Sequence, residues 1–287
     1  MINSEPKTDS GRKLFYGLFV FPLLIAVGMA ILLCTVVLLT RESETPESLI
    51  TAIKTGAPSK RWQKAFELSN ELNQGRGLIR QSGVMNEVIH ILSDPGEYDA
   101  KTRSYMAMAL SRFEEPEALQ AMRRRLQEES DPDVKIHLLW ALGTKKAGEA
   151  SPDIVPYLSD PNEDLRKVAA YVAGALKAEA AIPELERLLD DPARDVRWNA
   201  ALSLARLGSA AGYEELLKMS DRQGLQEAHQ LGNQKVEEIM INAIKGIALL
   251  KKPESVSMLR ELSSRDSSLK VRQAALEALR YQKTDPS

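Results

Sequence analysis

Residues 159–190 read SDPNEDLRKVAAYVAGALKAEAAIPELERLLD, and residues 190–221 read DDPARDVRWNAALSLARLGSAAGYEELLKMSD. The two stretches share one plan. Each opens on Asp-Pro and places an apolar residue before an arginine. Each continues through a small-residue stretch with apolar positions three and four apart, then a short break, then a second helix rich in leucine. That spacing is the mark of amphipathic helices. Proline fixes its own φ and discourages the helix before it from continuing. The aspartate ahead of it can accept hydrogen bonds from the free backbone donors of the next helix.

The plan extends in both directions. Asp-Pro recurs at Asp94, Asp131, Asp160 and Asp191. The basic residue after it recurs at Arg103, Lys135, Arg166 and Arg197, spaced 32, 31 and 31. A fainter copy runs through Met240, a clear one returns at Arg272 in KVRQAALEAL, and SKRWQKAFELSNEL supplies an earlier one at Arg61. Two helices per 31 residues, with Asp-Pro between units, predict an all-α chain. The predicted architecture is an α-solenoid of about six to seven helical hairpins, in which each unit buries its apolar face on the next. Alanines at 169, 170, 200, 201, 274 and 275 let neighbouring helices come close.

These segments resemble the HEAT-like repeats also found in bilin lyases, whose pattern is roughly DP-x-x-x-VR-x-x-AA-x-AL. DPARDVRWNAALSL and DPNEDLRKVAAYVA follow it closely, and DPDVKIHLLWALG follows it with a shortened turn. The resemblance covers residues 47–282. It implies an interaction scaffold with no catalysis of its own, because this fold is used mainly for binding. It also implies that the recurring arginines and turn aspartates pair as a structural ladder. A second reading stays open on the same fold: a lyase-like or chromophore- or cofactor-handling accessory protein.

The chemistry-bearing residues favour the scaffold. His90, His137 and His229 lie far apart and none precedes a glutamate, so the His-Glu pairs of HEAT-like hydroxylases are missing. No CxxC, HExxH, Gly-rich phosphate loop or GxSxG occurs. No catalytic, cofactor-binding or metal-binding residue is therefore expected. The single cysteine, Cys34, excludes an intrachain disulfide. A pI near 6.1 and a net charge of −2 argue against a nucleic-acid partner, which requires a basic face.

From Leu14 to Thr40, 27 residues carry no charge: LFYGLFVFPLLIAVGMAILLCTVVLLT. As a helix rising about 1.5 Å per residue, this run exceeds a hydrocarbon core of about 30 Å. It is too long for a cleaved signal's apolar region of about 7 to 15 residues, and it ends VVLLTRESE without small residues at a cleavage site. The expected organisation is a tail (1–13), a transmembrane helix (14–40) in contact with membrane lipid, a linker (41–46), the solenoid (47–282) and a tail (283–287). Lys7, Arg12 and Lys13 precede the span, whereas Arg41 alone closely follows it. The positive-inside rule then places the N-terminus in the cytoplasm and the solenoid outside.

Within V-R-x-x-A-A-x-A-L, the first and third x lie four apart and share a helix face outside the core set. The pairs are Trp62/Phe66, Ser104/Met108, Ile136/Trp140, Lys167/Tyr171, Trp198/Leu202, Ile241/Lys245 and Gln273/Glu277. All three tryptophans of the chain fall at these positions, and the last unit carries only polar residues there. Trp62, Phe66, Met108, Ile136, Trp140, Tyr171, Trp198 and Leu202 form the candidate surface for a protein partner, such as a membrane protein complex, on or near the concave side. Exposed aromatics of this kind dominate interface energies. The other reading is that they pack into the neighbouring unit. Two spacings break the period: Arg61 to Arg103 is 42, and Arg197 to Met240 is 43. The second excess is the polar run DRQGLQEAHQLGNQ, 221–234, expected either as a loop on the binding face or as a plain surface loop or lengthened helix.

Overall fold

The computed structural model describes residues 15–40, 45–74, 82–229 and 231–283. The chain divides into two compact units, Met1–Thr45 and Pro46–Ser287. In the first, a π-helical turn at Tyr16–Val20 leads into helix α1, Phe21–Thr40. The wide turn sits just before Pro22, which has no N–H and whose ring crowds the carbonyl four residues back. Tyr16–Val36 is long and apolar enough to cross a membrane, and none of it is buried.

The second unit is helical throughout its described residues, with no strand. Its first hairpins are α2 (Pro46–Thr55) with α3 (Pro58–Gln74), α4 (Ser82–Ser93) with α5 (Ala100–Leu110), and α6 (Pro116–Glu128) with α7 (Pro132–Lys145). The short α8 (Ser151–Ile154) and the 3₁₀ turn Val155–Ser159 pair with α9 (Glu163–Ala175). Then come α10 (Ile182–Arg187) with α11 (Arg194–Arg206), and α12 (Tyr213–Met219) with α14 (Asn233–Leu250) around an inserted α13 (Arg222–His229). Last are α15 (Ser255–Arg265) and α16 (Leu269–Lys283). The helices that carry the recurring basic residue stack side by side as one row: α3, α5, α7, α9, α11, α14, α16.

This pairing corrects the expected phase of the repeat. Asp-Pro lies inside four of these hairpins, at Asp94, Asp131, Asp160 and Asp191, and not between units. A looser joint follows α7, α9 and α14, where Lys146, Lys177 and Lys251 adopt φ of 52°, 54° and 48°, whereas after α11, where Gly208 adopts 78°, the chain packs back as closely as in the hairpin. A left-handed residue there ends the helix and turns the chain toward the next hairpin. The turn aspartates act as expected. Asp131 Oδ1 accepts from the N–H groups of Asp133 and Val134, and Asp191 Oδ1 from that of Ala193.

Small residues set the spacing of the basic row. A Cβ on Gly174 would stand 2.6 Å from Ser203 Cβ, and one on Gly143 would stand 3.1 Å from Val172 Cγ2. The same seam is pinned by Ser203 Oγ, which donates to the Ala170 carbonyl at 2.7 Å. The buried apolar residues form two clusters that meet on α11. Val196, Ala200 and Leu204 belong to the first, and Trp198, Ala201 and Ala205 to the second.

The ladder runs along the turns. Arg166 donates to both carboxylate oxygens of Asp191, at 2.7 and 3.0 Å, and to the Asp160 carbonyl. Arg197 donates to the Asp191 carbonyl, and Arg272 to that of Asp266. Arg103 reaches fully buried Glu129, which also takes two hydrogen bonds from Arg125. Burial opposes ionisation of Glu129. Backbone N–H donation, the Arg125 hydrogen bonds and the two guanidinium charges outweigh that opposition and hold its pKa below the usual carboxylate range. Asp191 is lowered too: burial again opposes its charge, and the Arg166 hydrogen bond and the Ala193 N–H overcome it.

The polar excess at 221–234 is not merely a loop. It contributes α13, whose Arg222 makes the bidentate pair with buried Asp266 at 2.7 and 3.0 Å. The repeat's own basic position in that unit is Met240, fully buried. The insertion thus supplies the rung that the repeat lost. In the first excess, residues 75–81 lie outside the described residues.

Candidate docking face

The paired positions of the basic row do not behave alike. The third-x residues open toward solvent: Phe66 is 44% exposed and Trp140 37%, and Met108, Tyr171 and Leu202 are half-buried. The first-x residues tuck into the seam with the next helix. Trp62 and Ile136 are half-buried, Ser104 is buried, and Trp198 retains only 7% of its surface. The first x lies one turn ahead of the small residues that face the following unit, so that unit covers it. The solvent-facing placement expected for Trp198 is therefore corrected. Its indole joins the apolar cluster of the last units, with the Arg194 guanidinium 4.7 Å from the ring.

The exposed rings meet across successive helices. Phe66 on α3 packs edge-on against Tyr105 on α5, with centroids 5.3 Å apart. Trp140 on α7 leans on Tyr171 of α9 at 4.8 Å, and the Arg206 guanidinium of α11 lies 5.1 Å from that tyrosine ring. Lys101 Nζ stands 3.2 Å over Trp62. The structure thus brings Phe66 against Tyr105 and Trp140 against Tyr171, sets Trp62 under Lys101, and removes Trp198. Tyr105 escaped the sequence reading because it sits beside the first x and not on it. Aromatic pairs contribute about 0.5–1.5 kcal/mol beyond burial, so these rings are held in place before any partner arrives.

His90 is exposed on α4, and His137 Nδ1 lies 2.7 Å from the Asp133 carbonyl on its own helix. Among the described residues, no three of His, Cys, Asp and Glu gather into a group that could hold a metal ion.

Residues 151–228 match the family model for HEAT repeats. No curated protein matches the chain by sequence. One similar solved structure is a chain of the complex of CpcE and CpcF of phycocyanin lyase from Nostoc sp. PCC7120. It has a TM-score of 0.52 and 20% identity, and the match covers 83% of this chain and 94% of that one. YibA of E. coli is similar with a TM-score of 0.52 and 14% identity, covering 82% of this chain and 92% of its own. The fold is a HEAT-like α-solenoid. Likeness at this identity shows the fold alone and leaves an enzymatic role open.

Proposed function

We propose that the chain is a single-pass membrane protein whose solenoid is a non-catalytic scaffold, binding a protein partner through the basic-row face. The observation that carries the reading is two packed ring pairs, edge-on Phe66–Tyr105 and tilted Trp140–Tyr171, in which Phe66 and Trp140 are exposed. Rigid rings with little conformational freedom left to lose are the usual anchors of protein interfaces. The small residues Gly143 and Gly174, which let the basic-row helices come close, support reading this row as the inner side of the stack. The exposed apolar helix Tyr16–Val36 supports the membrane anchor. The excess of Lys7, Arg12 and Lys13 over Arg41 supports a cytoplasmic N-terminus with the solenoid on the other side.

Photo-reactive residues placed at Phe66 and Trp140 of the full chain in its native membrane test the face. Both positions are expected to join the same protein, and exposed Arg187 on the second row is expected to join none. Equal labelling from all three positions overturns the assignment. For orientation, protease added outside intact cells or spheroplasts is expected to digest the solenoid; protection until lysis reverses it.

A further inference from the structure

The seams between basic-row helices are closed differently along the array. In the α7–α9 seam the third-x residues are Trp140 and Tyr171, and their rings lie over it. In the α14–α16 seam the same two positions hold Lys245 and Glu277, which leave it open. The result is a slot of about 310 Å³. Its floor is small and buried: Ala248, Ala274 and Ala278. Its walls are Leu249 and Tyr281, 45% and 47% exposed, each four residues beyond the third x and hence on the same helix face.

We propose that this slot receives an aromatic side chain from the protein partner, which supplies the ring that the α7–α9 seam supplies for itself. The proposal rests on the docking-face reading, since the slot continues the same row. Three observations fix the occupant's chemistry. The equivalent seam is covered by a tilted ring pair in contact, so this row accommodates aromatic side chains over its seams. The floor is apolar and shallow, built of alanine methyls. The rims carry one charge of each sign. Lys245 has no ion-pair partner among the described residues and is placed to cover a ring face, as Lys101 covers Trp62 and Arg206 covers Tyr171. Glu277, opposite, accepts a hydrogen bond from Gln273 and has acceptor capacity left for an indole N–H or a phenol O–H. An aliphatic side chain fills the floor but engages neither rim.

The test uses the full chain in detergent micelles with labelled alanine and leucine methyls. N-acetyl-tryptophanamide is the probe and N-acetyl-leucinamide the control. Saturable shifts are expected at Ala248, Leu249, Ala274 and Ala278, with the control binding at least about tenfold more weakly. Ala278→Phe, which fills the slot, should abolish them, with the methyls of Ala201 and Ala243 in the same apolar cluster reporting an intact fold. Lys245→Gln, a change at an exposed side chain, should weaken the probe by about two- to fivefold. No saturable shift at these methyls, equal binding of the control, or indifference to Lys245→Gln overturns the proposal. Cross-linking at Phe66 and Trp140 reads the docking face separately, so the failure of one is distinguishable from the failure of the other.

Discussion

The two halves of the solenoid follow one repeat and solve its problems differently. Through α9, ring pairs lie over the α3–α5 and α7–α9 seams, and Glu129 is shared by two arginines. From α11 onward, the tryptophan moves under the next unit, the later third-x positions become Lys245 and Glu277, and a rung is imported from an inserted helix. The lesson is that a repeat position specifies a direction on its helix. The neighbour that arrives decides whether that direction ends in solvent or in core.

The largest expected effect lies in the first half. Glu129→Ala leaves two arginines buried without their carboxylate and two turn N–H groups without an acceptor. Loss of one partner from a buried charge network costs about 3–5 kcal/mol. The imported rung is wetter, with Arg222 20% exposed, and Asp266 keeps the Ser268 N–H as a donor. Arg222→Ala is expected to cost about 1–3 kcal/mol. Denaturant midpoints of the two variants measure the difference, and an equal loss breaks the contrast between intrinsic and imported rungs.

The tryptophans sharpen the comparison next. Trp198→Ala removes a buried indole and is expected to cost about 3–5 kcal/mol. Trp140→Ala loses an exposed ring packed on Tyr171, about 0.5–1.5 kcal/mol. Thermal unfolding of both variants, followed by far-ultraviolet circular dichroism, reads the gap.

Acid should act through the carboxylates whose pKa values are held low. For Glu129 and Asp191 the folded value lies below the unfolded one. Their contribution is therefore complete above the ordinary carboxylate range, near about pH 4, and is lost as pH falls through the depressed folded values. Asp191→Asn should flatten part of that acid loss in a titration of stability against pH.

The smallest effect is a gain. Lys177 is an exposed non-glycine residue in left-handed conformation at a helix end. Lys177→Gly should stabilise the chain by up to about 1 kcal/mol, because glycine takes that conformation without the Cβ penalty. A loss of stability there would mean that the Lys177 side chain contributes packing of its own.

Much of this fold is legible in the sequence, and the gaps have physical causes. The period and the capping aspartates follow from local chemistry, and the Arg–Asp rungs are implied by the resemblance to HEAT-like repeats. The phase of the hairpin does not. A repeat has no beginning, and the period alone does not say which of two connections is tight. Burial of Trp198 depends on the following helix, which its own helix wheel does not contain. The rung from Arg222 lay in a segment whose polarity suggested a loop. The slot was hidden because its rims are charged and its walls, Leu249 and Tyr281, sit one turn past the positions that first drew attention.

One measurement bears most directly on the account, which holds that the exposed rings bind a partner and the buried indole supports the fold. It is the affinity of the protein captured from Phe66 and Trp140, measured on a full chain carrying Phe66→Ser and Trp140→Ser. Interface anchors contribute at least about 2 kcal/mol each, so the double variant should bind roughly several-hundred-fold more weakly while melting close to the unaltered chain. Unchanged affinity in a folded double variant would contradict the account.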